Sequence, residues 1–266
     1  MGFNVVGNGK NMSRINYVWR LIATAISFIS FGVGGVILWW FIFPVANQFS
    51  GSQKIKINRN QRMVHYSFSL FIGLMHRLGI MTYEVIGIEK LNKPKQLVVA
   101  NHPTLIDVVF LLSRIKHATC IVKAALLNNP AMRGPILNAG YISNENSEMM
   151  IDQCSEYLKS GGCLIVFPEG TRSQADKLSP FQRGAAAIAL KSNCIITPVT
   201  ITCNPSTLTK AEAWYQIPKK KFHLRMVVGD DIGFDEFYDA QSRPIAVRRL
   251  TEKLTDYFTK TKKYYE

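Results

Sequence analysis

The sequence predicts an α/β fold: a largely parallel central sheet flanked by helices, preceded by hydrophobic N-terminal membrane helices. Three observations predict it. After Tyr83, short β-branched runs alternate with helical stretches and turn residues, the signature of strand and helix units in succession. Two of those runs, LVVA at 97–100 and CLIVF at 163–167, are continuously apolar, as strands covered on both faces are. Ahead of them, residues 21–46 contain no charged side chain, long enough as a helix to cross a hydrocarbon core. The chain therefore divides into an N-terminal membrane-associated helical region, residues 1–82, and an α/β domain, residues 83–266.

The first element is the apolar run 21–46. It is too long for a signal peptide, and no small-residue cleavage site follows it. Lys10, Arg14 and Arg20 precede it and Lys54, Lys56, Arg59 and Arg62 follow it, so the positive-inside rule gives no orientation. With Gly32, Gly34, Gly35 and Pro44 interrupting the run and Trp39 and Trp40 available as belt residues, a hairpin dipping into one leaflet fits as well as a span. Residues 63–80 are apolar all round and read as a second helix, in or on the membrane or packed against the first. His65 and His76 are expected at its polar rim.

In the α/β domain the expected strands are 83–87, 96–100, 119–122, 164–167, 195–201 and 224–228, and the expected helices 105–115, 130–138, 148–159, 184–191 and 244–259. In a parallel sheet, sites form beyond the carboxyl ends of the strands. Two conspicuous motifs lie there.

Composition narrows the partners. Of 266 residues 47% are hydrophobic, and the formal charge is +14, which draws the surface to something anionic. No zinc-finger spacing, basic zipper or aromatic RNA-binding signature accompanies the basic residues, so nucleic acid is not an expected partner. The basic stretches at Lys219, Lys220 and Lys221, at Arg248 and Arg249, and at Lys260, Lys262 and Lys263 are either solvated faces or contacts for anionic headgroups. Five scattered cysteines without a C-x-x-C pair fit a reducing cytoplasmic setting rather than a disulfide framework.

The first motif, NHPTLIDVV at 101–109, follows the strand ending at Ala100. Asp107, five residues after His102 and within the first turns of a helix, is placed to hold one imidazole nitrogen while the other faces a substrate hydroxyl. Thr104 and Asp107 equally resemble a capping box, and the spacing alone is weak. The second motif, FPEGTRS at 167–173, ends the strand LIVF. Its turn, made possible by Gly170, gathers Glu169, Thr171 and Arg172 into a group suited to an anion or a phosphate.

In this order, each at a strand end, the two motifs closely resemble the first and third blocks of the glycerolipid acyltransferases of the 1-acylglycerol-3-phosphate acyltransferase (PlsC-like, HX4D) family. ITPVTI at 196–201 resembles its fourth block, and Lys123 in CIVKAAL sits where the family commonly carries a lysine. The resemblance covers roughly 84–201. It implies the glycerolipid acyltransferase fold and a catalytic role for residues 83–266, with His102 as general base and Asp107 as its orienter. It further implies Glu169, Gly170, Thr171 and Arg172 as the acceptor-binding turn, Lys123 beside them, and Pro198 shaping the pocket. Acyl-CoA or acyl-carrier protein is the implied donor and a lysophospholipid-like molecule the acceptor, with no metal or cofactor, because a thioester is already activated. The implied location is the cytoplasmic face of the inner (plasma) membrane, in phospholipid or specialised lipid biosynthesis. VKAALLNNP, AGYISN and TKAEAWYQIP look like a bacterial subgroup associated with specialised lipids such as aryl-polyene lipids.

One departure concerns the acceptor. Where the family's second block usually ends in arginine, this sequence places Asn144, which removes a charge-assisted phosphate contact. Two other readings stay open. A lipid or thioester hydrolase would use the same histidine on water, although no G-x-S-x-G elbow or H-E-x-x-H cluster is present. A non-catalytic membrane lipid-binding protein would make the His102 and Asp107 spacing a coincidence.

Overall fold

The computed structural model describes residues 7–48, 51–173, 179–210, 212–237 and 242–265; the side chains of Lys10, Lys262 and Lys263 lie outside the described set. At its centre is a seven-stranded sheet made of β1 (Met81–Ile86), β2 (Gln96–Ala100), β3 (Ala118–Val122), β4 (Ile142–Ser143), β5 (Cys163–Val166), β6 (Ile195–Asn204) and β7 (Phe222–Val228). Their spatial order is β1-β7-β6-β2-β5-β3-β4. Every pairing is parallel except β6 with β7, so the largely parallel sheet is as expected. β4 goes unseen in the sequence: two residues pairing with the edge of β3 carry no periodicity.

β2 and β5 are buried along their whole length, which accounts for their unbroken apolar runs. The sheet separates two apolar clusters. On one face Val98, Ala100, Ile165 and Val199 meet the N-terminal helices, and on the other Leu97, Val99, Leu164 and Ile196 meet three later helices.

The N-terminal region is α1 (Gly7–Ile37), a five-residue π-helical stretch (Leu38–Ile42), α2 (Phe43–Gln48) and α3 (Gln53–Arg77). Arg14–Gln48 is long and apolar enough to cross a membrane. α1 is, however, docked on the α/β domain towards both ends. Near its start the Arg20 guanidinium donates to the carbonyls of Pro218 at 2.9 Å and Lys219 at 2.6 Å, while Trp19 Nε1 donates to the Leu78 carbonyl at the end of α3 at 3.0 Å. Towards its end the Gly35 backbone lies directly against the Ala131 carbonyl. The inner face, Ala23, Thr24 and Ser27, is buried, while Ile15, Val18, Ile22, Ile26, Ile29 and Val33 are exposed.

α3 starts ten residues ahead of its expected apolar run because the Ser52 hydroxyl caps it, accepting from Ile55 N–H. It packs antiparallel on α1, with Phe31 5.9 Å from Phe68 and 5.3 Å from Phe71 between ring centroids. His65 is not at a polar rim. Its ring is buried and Nδ1 lies 3.0 Å from the Leu112 carbonyl, so it ties α3 to the end of the following helix. His76 is exposed, as expected of a rim residue, with Nδ1 3.2 Å from the Met81 carbonyl.

Of the remaining helices, α4 (Asp107–Leu112) follows β2, and α5 (Pro130–Asn138) opens with proline at its first position under an Asn129 cap. α6 (Ser147–Lys159) is capped by Asn146, while α7 (Gly184–Ser192) and α8 (Arg243–Tyr265) cover the second face. α4 begins two residues after its expected start because Leu105 N–H is drawn to the Leu208 carbonyl and Ile106 N–H to the Thr104 hydroxyl.

A side chain at position 35 would collide with the α5 backbone, which cannot give way as a flexible side chain does. Gly35→Leu is therefore expected to lever α1 off α5 at a cost of about 1–3 kcal/mol, the usual cost of overpacking. A lower thermal midpoint together with new proteolytic cleavage between α1 and α3 would register it; a variant as stable and protected as the parent would mean that α1 is not held there.

Candidate active site

β2 and β5 are parallel neighbours, so the loops that leave their carboxyl ends emerge side by side. The loops are bonded to each other. His102 N–H donates to Glu169 Oε1 at 2.8 Å, and Ser173 N–H donates to the His102 carbonyl at 2.8 Å. From the other neighbour of β2, Ile201 is gripped by the Asn101 amide, which donates to its carbonyl at 2.8 Å and accepts from its N–H at 2.7 Å. The two sequence motifs thus form one unit whose backbone is pinned on three sides.

His102 stands on this unit with its side chain 15% exposed. Nδ1 lies 2.8 Å from Asp107 Oδ2, and the ring packs on Phe167 with centroids 4.4 Å apart. Asp107 is wholly buried and accepts two further hydrogen bonds from Thr104, 2.7 Å from its N–H to Oδ2 and 2.6 Å from its hydroxyl to Oδ1. The capping and orienting readings of this aspartate are therefore both true: one carboxylate has enough lone pairs for the turn and for the imidazole. A carboxylate surrounded by three donors acts as acceptor, which places the imidazole proton on Nδ1 and leaves the lone pair on Nε2. Nε2 has no hydrogen-bond partner among the described residues.

His102 lines a cavity of about 1100 Å³. Phe28 and Phe31 of α1 and Phe68 and Phe71 of α3 supply apolar wall, and Lys123, Asn144, Thr171, Arg172 and Lys210 supply polar wall. Arg172 Nη1 donates to the carbonyls of Leu208 and Thr209, both at 2.9 Å. Its Nε and Nη2 have no partner among the described residues, so the fork is fixed in place with donors to spare for an anion. Gly170, in the left-handed region at φ +66°, makes the turn that delivers Thr171 and Arg172 to the cavity. Lys123 is exposed at the end of β3. Asn144 Oδ1 accepts from Ala124 N–H at 3.1 Å, so the residue standing at the family's arginine position does border the cavity, without a charge.

Two expected site residues are placed differently. Glu169 is buried and lines no part of the cavity; besides His102 N–H its carboxylate accepts from the Ser173 hydroxyl at 2.6 Å and from Ser179 N–H at 3.1 Å. It supports the histidine loop rather than facing a substrate. Pro198 is buried in β6 beside Val99 and lies near Gly229 on the α8 side of the sheet, away from the cavity. Sequence reasoning gave no role to Asn101, Phe167, Ser173 or Ser179; the first three are the end residues of the two motifs themselves, which was the available signal, and nothing in the sequence marked Ser179.

With three donors converging on Glu169, Glu169→Gln would set an amide NH₂ against at least one of them, leaving a buried donor unpaired at about 1–3 kcal/mol. The expected result is a lower thermal midpoint together with a fall in activity of roughly tenfold or more; normal stability with lost activity would instead mark Glu169 as a substrate contact.

The cysteines offer no nucleophile. Burial pushes the thiols of Cys120, Cys154, Cys163 and Cys203 up to about 12 and that of Cys194 upward as well, so a thiolate is scarce at neutral pH.

Residues 82–202 match the family described as Acyltransferase. The chain is similar to 1-acyl-sn-glycerol-3-phosphate acyltransferases: 28% identical over 207 residues to that of Saccharomyces cerevisiae, covering 74% of this chain and 64% of the relative. It is 30% identical to the chloroplastic LPAT1 of Arabidopsis thaliana over 50% of this chain and 41% of the relative. For the chloroplastic BAT2 of Brassica napus the identity is 28%, with 54% and 44% covered. The chain thus spans about half the length of these relatives. Its fold is that of the crystal structure of the 1-acyl-sn-glycerophosphate (LPA) acyltransferase PlsC from Thermotoga maritima, with a TM-score of 0.65 at 20% identity, covering 91% of this chain and 98% of that one.

Proposed function

We propose that the protein is a membrane-attached O-acyltransferase, a reading supported by the match of residues 82–202 to the family described as Acyltransferase. It transfers a fatty acyl chain from acyl-CoA or acyl-carrier protein to the hydroxyl of a lysophospholipid-like acceptor. The observation that carries the reading is the His102 and Asp107 pair, which borders a cavity of about 1100 Å³ with the imidazole Nε2 unengaged.

In this mechanism Nε2 of His102 removes the proton of the acceptor hydroxyl as its oxygen attacks the thioester carbonyl. The tetrahedral intermediate collapses, breaking the carbon–sulfur bond, and the departing thiolate takes the proton back from the imidazolium. Asp107 holds the tautomer and stabilises the positive ring between these steps. Arg172, with Lys123 and Lys210 also lining the cavity, supplies positive charge for the acceptor's phosphate, and the aromatic surfaces of α1 and α3 accept the alkyl chain. With Asn144 in place of a second arginine, the phosphate rests on one fork rather than two. The upward-shifted cysteine thiols favour direct transfer over an acyl-cysteine intermediate.

Residues 1–82 act in this reading as the membrane-associated region and residues 83–266 as the catalytic domain. The helix α1 lies along the bilayer with its bare apolar face in the acyl layer, because its other face is occupied by the domain. Five free cysteines and a net charge of +14 support the cytoplasmic face, where thiols stay reduced and anionic lipid attracts a basic protein.

The test is incubation of the purified full chain with acyl-CoA and with acyl-carrier protein against a panel of phosphorylated and neutral lysolipids, with products identified by mass. Diacyl product is the expected result. Free fatty acid formed equally with and without acceptor would transfer the assignment to a hydrolase, and no turnover with any pair would end the enzymatic reading.

A further inference from the structure

We propose that loop 212–221 is a second membrane-contact element, latched to α1, which sets Trp214, Tyr215 and the lysines at 219, 220 and 221 against an anionic phospholipid surface. The inference rests on the membrane attachment proposed above and adds a surface distant in sequence from the N-terminal helices.

Trp214 is 42% and Tyr215 57% exposed. Large aromatic rings with a polar edge are poorly placed in bulk water and well placed at the headgroup level of a bilayer. The pair is ordered rather than loose: Trp214 packs on Phe28 of α1 with centroids 5.8 Å apart, and Tyr215 meets Trp214 edge-on at 5.7 Å. The loop's other end is tied to the same helix by Arg20, whose Nη1 and Nη2 donate to the carbonyls of Pro218 and Lys219. The aromatic tip and the lysine run are therefore both fixed to the helix whose outer face is exposed and apolar.

Charge completes the match. Lys219, Lys220 and Lys221 are exposed, and Lys210 stands just ahead of the loop. The single acid among 212–221 is Glu212, and its carboxylate is drawn inward to accept from Thr209 N–H at 2.9 Å. Exposed aromatics beside lysines that have no ion-pair partner among the described residues, on a loop packed against the helix that also carries an exposed apolar face, fit an anionic bilayer better than an acidic protein, which would meet the lysines but not the aromatic rings. The carbonyls of Leu208 and Thr209, just before the loop, hold Arg172, so contact here also presents the cavity to the lipid from which an acceptor must come.

The test uses the full chain carrying Tyr215→Cys, labelled with an environment-sensitive fluorophore; the native cysteines are buried or, at Cys203, half-buried. Phosphatidylcholine vesicles with and without phosphatidylglycerol are added, with co-sedimentation and acrylamide quenching read in parallel. A blue shift and protection from acrylamide are expected on the anionic vesicles. Replacing the three lysines at 219, 220 and 221 by glutamine is expected to weaken binding to those vesicles by about fivefold per lysine while leaving binding to neutral vesicles unchanged. Sedimentation with vesicles while position 215 stays as open to acrylamide as in buffer would overturn the inference and leave membrane attachment by α1 standing. Failure to sediment at all would remove both. Lysine variants that lose only carrier-protein-dependent activity, with vesicle binding intact, would reassign the loop to an acidic carrier.

Discussion

His102→Ala is expected to lower kcat by about 10²–10⁴-fold, the usual contribution of a positioned general base, with KM for the acceptor and the thermal midpoint nearly unchanged. The stability expectation follows from the surroundings. Among the described residues the imidazole makes one hydrogen bond and one ring contact, and the buried Asp107 keeps both hydrogen bonds from Thr104 after the ring is gone. The backbone of residue 102, which Glu169 and Ser173 hold, is untouched. Transfer assays with acyl-CoA and a lysophospholipid, run beside thermal melts, check both halves. Activity within a few-fold of the parent would remove the histidine from the mechanism, and with it the case for catalysis over lipid binding.

The contrast between this variant and Glu169→Gln separates what the sequence showed from what it concealed. The positions of the two motifs were legible because continuous apolar strands fix where their carboxyl ends lie, and a parallel sheet puts neighbouring strand ends together. The direction of a side chain within a tight turn was not. Glu169 turns inward because three donors converge there, two of them backbone N–H groups that only the fold brings into range. Pro198 was misplaced for a related reason. Alternate residues of a strand face opposite ways, and it shares the side of Ile196, but residues 196–201 are buried on both faces, threonines included, so no alternation of apolar and polar residues revealed this.

The N-terminal region shows the same limit. Length and apolarity announced a membrane segment, yet a protein interior and a lipid tail are alike in polarity, so composition could not say that Ala23, Thr24 and Ser27 would be covered by protein while Ile22, Ile26 and Ile29 are bare. Arg20 stood before the apolar run as one more flanking charge. In the fold it is buried, and two backbone carbonyls some two hundred residues away along the chain engage it.

Asp107→Asn isolates the charge of the pair from its geometry. Oδ2 must accept from two donors at once, Thr104 N–H and His102 Nδ1–H, whereas the partner of Oδ1 is a hydroxyl that can rotate from donor to acceptor. An asparagine therefore settles with its oxygen at the Oδ2 position and its amide facing the Thr104 hydroxyl, keeping the imidazole tautomer intact. What disappears is the negative charge beside the ring at the moment the ring becomes positive. The expected loss is about 10²-fold in kcat, at the lower end of the range for acid–base catalysis, with acceptor KM preserved. Asp107→Ala strips the turn as well and is expected to lose more activity and to melt lower, because Thr104 N–H is left buried without an acceptor. Parent-like activity in Asp107→Asn, with a loss in Asp107→Ala alone, would mean that the carboxylate acts on the turn alone and that the histidine owes nothing to its charge.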